Sequence, residues 1–222
     1  MPTITVWSDI GCEWAHVAVS RLLRTRHAMG LDGEVRIDHH AFPLELFNEA
    51  PVSKLMLDAE APVLGAVEPE AGWQMWRSPD WHWPVTTMPA LEAVQAAKEQ
   101  SLEASEQLDR ALRNALFGES RCIALRSVIL DVAAGCPAVD VPSLAKAVDD
   151  GRARRLVMDD FERAQADDTI KGSPHVFLPD GTGFHNPGLE AEWHGKPGQG
   201  GFPVVVRNDP GVYEEILLRA TG

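Results

Sequence analysis

Ser8-Asp9-Ile10-Gly11-Cys12-Glu13-Trp14-Ala15 is the point at which a β-rich run hands over to a helical one. Upstream, residues 3 to 9 (TITVWSD) are dense in β-branched side chains and predict a strand that stops at Asp9 and Gly11. Downstream, Ala15, Val19, Leu22 and Leu23 recur at helical spacing, so a helix begins near Cys12. Arg24, Arg26 and His27 suit the negative end of its dipole, and Gly30 suits its close. A cysteine at such a hand-over meets exposed N–H groups and the positive pole of the helix, which stabilise a thiolate. His16, one turn on, could bring an imidazolium to the sulfur, whereas the Glu13 carboxylate pushes the thiol pKa the other way. Position alone fits two roles for Cys12, a nucleophile or a small apolar residue packed under the first helix; His16 likewise fits a catalytic or a core histidine.

Working outward, residues 35 to 44 (VRIDHHAFPL) alternate as a second strand, and strand, helix and strand make one crossover unit. His39 and His40 then point to opposite faces, one core and one surface, and cannot share a metal. Residues 48 to 87 lose any clean period and predict a long covering loop with short helical pieces. Trp73, Trp76, Trp81 and Trp83 either pack that loop down or form an aromatic lid over Cys12. Helical periodicity returns at Pro89 to Lys98, around Leu108 to Ala115, and at Ile123 to Val132, Pro142 to Val148 and Ala153 to Phe161. Pro174 to Leu178 reads as a strand, followed by a Pro179-Asp180-Gly181 turn and a short run at Thr182 to His185, together a hairpin. Gly195 to Gly201 reads as a mobile surface loop. Asp209 caps a closing helix with Pro210 in its first turn. The expected fold class is α/β, with an all-helical segment splitting one domain.

Composition removes several function classes. Twenty Lys and Arg against 33 Asp and Glu leave a net charge of −13, which repels nucleic acid and anionic membrane surfaces. No apolar run reaches the roughly 18 to 20 residues that span a bilayer, and the start lacks a basic region followed by an apolar one, so the expected location is cytoplasmic. Cys12, Cys122 and Cys136 show no CxxC spacing, against a disulfide framework or a cysteine zinc site. Neither the glycines around Gly188 nor Gly181 and Gly183 match a phosphate loop or a dinucleotide fingerprint.

Read together with Lys171-Gly172-Ser173-Pro174-His175-Val176-Phe177, the opening octet resembles the DsbA-like, FrnE-type branch of the thioredoxin superfamily. In that family a strand ending in Asp leads to a CPWC site at a helix start, a helical domain is inserted, and a segment with a cis proline returns beside the thiols. Phe42-Pro43-Leu44, Pro84-Val85-Thr86-Thr87 and Pro179-Asp180-Gly181 add matches along nearly the whole chain. The resemblance implies a thioredoxin-like domain over residues 1–87 and 169–222, with a helical insertion domain over 88–168. It makes Cys12 the nucleophile, Trp14 the aromatic residue between the thiols and Pro174 the cis proline. Ser173 would then offer its main chain to an extended substrate, with Glu13 and Phe42 also facing it.

Two departures matter. Ala15 stands where the family has its second cysteine, giving CxxA, and Glu13 replaces the motif proline. Without a resolving thiol, a mixed disulfide on Cys12 must be released from outside, so the implied chemistry is monothiol: exchange with a protein or small-molecule disulfide, using a low-molecular-weight thiol such as glutathione as co-substrate. No metal or tightly bound cofactor is implied. Cys122 and Cys136 read as incidental, or as resolving thiols from the helical segment. Related proteins with a lone Ser at the nucleophile position are glutathione-dependent isomerases or transferases, which is the alternative; a non-catalytic protein that captures thiol adducts is another.

Overall fold

A computed structural model describes the whole chain, residues 1–222. Strands β1 (Thr3–Ser8) and β2 (Arg36–Ala41) pair in parallel with helix α1 (Glu13–Ala28) as their crossover. Strands β3 (His175–Phe177) and β4 (Gly183–His185) extend the sheet antiparallel, in the order β2-β1-β3-β4. Val6 lies opposite His39 on one side and Val176 on the other, which brings the chain's two ends together beside the turn that carries Cys12. The period-two residues Ile4, Val6, Ile37 and Val176 join Ala18, Val19 and Leu22 of α1 and Ile216 and Leu217 of the closing helix in one apolar cluster. Gly30 takes a left-handed φ of 70°, ending α1 without a Cβ penalty.

Between the two halves of this sheet run α2 (Leu44–Phe47), α3 (Lys54–Val67), α4 (Met88–Lys98), α5 (Leu102–Phe117), α6 (Arg126–Ala134), α7 (Val141–Asp149) and α8 (Arg152–Ala166). Ser101 caps α5 by accepting from the Ala104 N–H at 2.9 Å, and Asp140 caps α7 from the Ser143 N–H at 2.8 Å. Their core is continuous with the sheet: Leu91, Leu108, Leu112, Leu116 and Val157 share a cluster with Ile10 and Ala41.

Three local expectations change. The segment 48 to 87 is loop with short 3-10 turns only beyond residue 67: before that, α3 is a regular helix, capped by Ser53, that buries Leu57, Ala61 and Leu64. Pro62, which lies inside the helix on its exposed side, disguised it. Gly195 to Gly201 is the tip of a hairpin between β5 (Leu189–His194) and β6 (Phe202–Asn208), a separate two-stranded sheet. Its inner residues Leu189 and Val205 pack with Val17, Leu64 and Trp14, so the hairpin is seated on α1 and α3. Asp209 and Pro210 precede the last helix, α9 (Val212–Thr221), and the Asp209 carboxylate accepts from the Gly211 N–H at 3.2 Å. No helix is long and apolar enough to cross a membrane.

Candidate active site

Cys12 is the N-cap of α1, with extended φ and ψ of −82° and 118°. Its N–H donates to the Asp9 carbonyl at 3.2 Å and its own carbonyl accepts from the His16 N–H at 3.0 Å, so the turn delivers the sulfur to the helix start. The thiol donates to the Ser173 carbonyl oxygen at 3.3 Å. The Ser173–Pro174 peptide is cis, and the Ser173 hydroxyl accepts the Asp9 N–H at 2.9 Å, a second tie between the two segments. Ser173 therefore meets Cys12 with its carbonyl, which in the resting state is occupied by the thiol.

The electrostatics differ from an activated thiolate. Cys12 is only 3% exposed, and burial, helped by the neighbouring Glu13 carboxyl, pushes its thiol up to about 12. Desolvation thus outweighs the helix start, and the resting sulfur is protonated. The expected imidazolium is also absent. His16 is buried, held through Nε2 to the Ala71 carbonyl at 2.9 Å and stacked on Phe117 at 4.7 Å. Burial, then the Arg113 guanidinium, hold its pKa near 3, so it is a neutral core ring.

Glu13 is likewise buried and faces Glu60 of α3 rather than open solvent. Burial and the Glu60 charge hold the Glu13 carboxyl well above the usual range, and burial raises Glu60 to about 7, so this pair keeps a proton at neutral pH. Phe42 belongs to the core: it stacks on Phe47 at 4.0 Å and packs with Trp7, Ala164 and Ile170. Trp14 and Ser173, by contrast, line one groove of about 530 Å³ whose far wall is the β5–β6 hairpin. Gly11 and Glu13 line a second recess of about 350 Å³ with Leu44, Val52 and Met56.

The tryptophan-rich segment packs down rather than covering the thiol. Trp73 lies against His16 and Phe117, Trp83 donates to the Val52 carbonyl at 2.9 Å and meets Trp76 edge-on, and Trp81 is exposed. Neither histidine of β2 is a free surface residue: His39 is buried near Asp109, and His40 stacks on Trp7 and bonds Asp160 at 2.7 Å. Cys136 sits in the helical core and Cys122 is half-buried; all three cysteines are free.

Several supporting residues escaped the sequence reading. Arg113 of α5, fully buried, donates to the Asp9 carbonyl at 2.9 Å and the Ser8 hydroxyl at 2.8 Å, and pairs with Asp109. The signal was present as an Asp109/Arg113 pair at i, i+4 beside the apolar Leu108 and Leu112. The buried Asp9 carboxyl accepts the Gly11 and Leu44 N–H groups at 2.8 Å each, shaping the turn. His175 Nδ1 accepts the Lys171 N–H at 2.9 Å and orders the approach to Ser173.

No family model and no curated protein sequence matches the chain. Solved structures do. The cytosolic disulfide reductase DsbM from Pseudomonas aeruginosa, crystallised with GSH, aligns at 18% identity and a TM-score of 0.62 over 80% of this chain and 86% of its own. A probable DsbA oxidoreductase from Streptomyces coelicolor aligns at 21% and 0.64, over 99% of this chain and 90% of its own. A 2-hydroxychromene-2-carboxylate isomerase aligns at 15% and 0.58, over 82% and 87%. The chain shares the fold of these structures: an α/β, thioredoxin-like arrangement with a helical insertion.

Proposed function

We propose that the protein is a thiol–disulfide oxidoreductase acting through Cys12 alone, with residues 1–87 and 169–222 as its thioredoxin-like domain and 88–168 as the bracing insertion. The observation that carries this reading is the 3.3 Å approach of the Cys12 sulfur to the Ser173 carbonyl, beside a groove that Ser173 and Trp14 share. Cys12 attacks a substrate disulfide: its S–S bond to one half forms, the substrate S–S bond breaks, and the proton Cys12 gives up ends on the departing thiolate. The arriving sulfur displaces the thiol from the Ser173 carbonyl. With Ala15 in place of a second cysteine, a small external thiol attacks the mixed disulfide and returns Cys12 to its reduced state, a cycle suited to a reducing compartment such as the cytoplasm. Intact-mass detection of a Cys12 adduct that glutathione releases tests it; Cys12→Ser abolishes both adduct and turnover. An adduct that no small thiol releases points to capture instead.

The protonated state of Cys12 favours a second reading. A neutral thiol at a helix start can orient a bound thiol co-substrate by hydrogen bonding, as a serine would, in a glutathione-dependent isomerase or transferase. Cys12→Ser then retains most activity.

A further inference from the structure

The groove beside Cys12 has an asymmetric chemistry. Its walls are Trp14 from α1 and Trp193 from β5, and the two charged residues lining it, Glu190 and Glu192, are both acidic. Arg207 pairs with Glu190 at 3.0 Å, whereas Glu192 has no ion pair. Asn186, held at a left-handed φ of 45° between β4 and β5, also lines the groove, and its Oδ1 is buried with no hydrogen-bond partner. An unpaired buried acceptor calls for a donor. No Lys or Arg lines the groove; Lys171, two residues before Ser173, is exposed outside it, and His185, which does line it, has its pKa lowered by partial desolvation. Aromatic faces, a free carboxylate and an orphan acceptor together make a receptor for an ammonium or amide N–H group.

Resting on the oxidoreductase reading of Cys12, we propose that this groove selects disulfides whose thiol half carries an amine, and disfavours those carrying carboxylates. Trp14 and Trp193 flank the amine-bearing arm, Glu192 supplies the charge, and Asn186 Oδ1 accepts an N–H, with the arm's sulfur directed to Cys12. The protein's net charge of −13 acts in the same sense at longer range.

Three symmetrical disulfides of similar size test this: cystamine, 2-hydroxyethyl disulfide and 3,3′-dithiodipropionate. Binding to Cys12→Ser is measured by calorimetry. Adduct formation on the unaltered protein is followed by intact mass, each rate divided by that of free N-acetylcysteine with the same disulfide. Cystamine is expected to lead dithiodipropionate by about tenfold or more in both measurements, with the lead shrinking as salt rises. Glu192→Gln narrows the lead in the Cys12→Ser background, and Asn186→Gly, which tolerates the left-handed backbone, weakens binding of cystamine, and of the hydroxyl-bearing disulfide, but not of dithiodipropionate, which has no donor. Equal binding and equal rates overturn the groove's selectivity while leaving exchange at Cys12 standing. Selective binding with no adduct from any disulfide keeps the groove and overturns the oxidoreductase reading; neither binding nor adduct overturns both.

Discussion

Arg113 donates from Nη1 to the main-chain carbonyl of Asp9 at 2.9 Å, so a helix 104 residues further along the chain holds the turn that presents Cys12. The same guanidinium is closed off by the Asp109 carboxylate at 2.7 and 3.1 Å, by the Ser8 hydroxyl and by the Ile10 carbonyl at 3.5 Å. Each donor therefore has a partner, without which a buried charge is not tolerated.

Arg113→Met should then cost about 3–5 kcal/mol, because Asp109 is left buried and uncompensated. Urea unfolding measures it. Arg113→Met with Asp109→Asn should recover part of the loss; an equal loss in the double variant would mean that shape, not charge, is what Arg113 supplies.

Alkylation of Cys12 by iodoacetamide should rise monotonically with pH and show no inflection near neutrality, since burial and Glu13 hold the thiol near 12. His16→Gln should leave the profile in place, because the native imidazole is already neutral with its pKa near 3. A plateau reached below pH 8 would refute the protonated resting state.

Glu60 has a folded pKa near 7 against an ordinary value of 4.5, so between those values the native state binds more protons than the unfolded chain. Stability from this group is fully present below pH 4.5 and is lost as pH rises toward 7, with Glu13 displaced in the same direction. His16 runs oppositely, its contribution being lost as pH falls from 6.5 toward 3. Thermal melts of Glu60→Gln and the unaltered protein should therefore diverge in favour of the variant as pH climbs from 4.5 to 7. A constant difference across that range would exclude a proton held by the pair.

A Cβ on Gly11 would lie 2.7 Å from Thr87 Cγ2, where α4 begins against the turn that carries Cys12. Gly11→Ala should destabilise by about 1–3 kcal/mol through overpacking. Adding Thr87→Ser removes the opposing methyl and should restore most of it, as read by the denaturant midpoint.

Local chemistry explains why much of the fold was readable. The TITVWSD strand, the helix from Ala15 to Leu23, the five-helix block and the Pro179-Asp180-Gly181 turn each carry their own period or punctuation. The β5–β6 hairpin was missed although Leu189, Ala191 and Trp193 alternate with Glu190, Glu192 and His194, because the glycine-rich tip dominated the reading. Pro62 hid α3 in the same way, and with it Glu60.

Residue order along the chain was enough to put Cys12 at the start of a helix, and a family resemblance, not periodicity, set Ala15 against the motif's second cysteine and paired Cys12 with Ser173 and Pro174. The protonation of that sulfur, the neutrality of His16, the pairing of Glu13 with Glu60 and the inward turn of Phe42 were decided only on folding. Each depends on how much water is excluded and on which groups from remote segments close around a side chain. A one-dimensional pattern specifies a residue's neighbours in sequence but not its dielectric surroundings, and for a buried thiol those surroundings outweigh the helix end on which it sits.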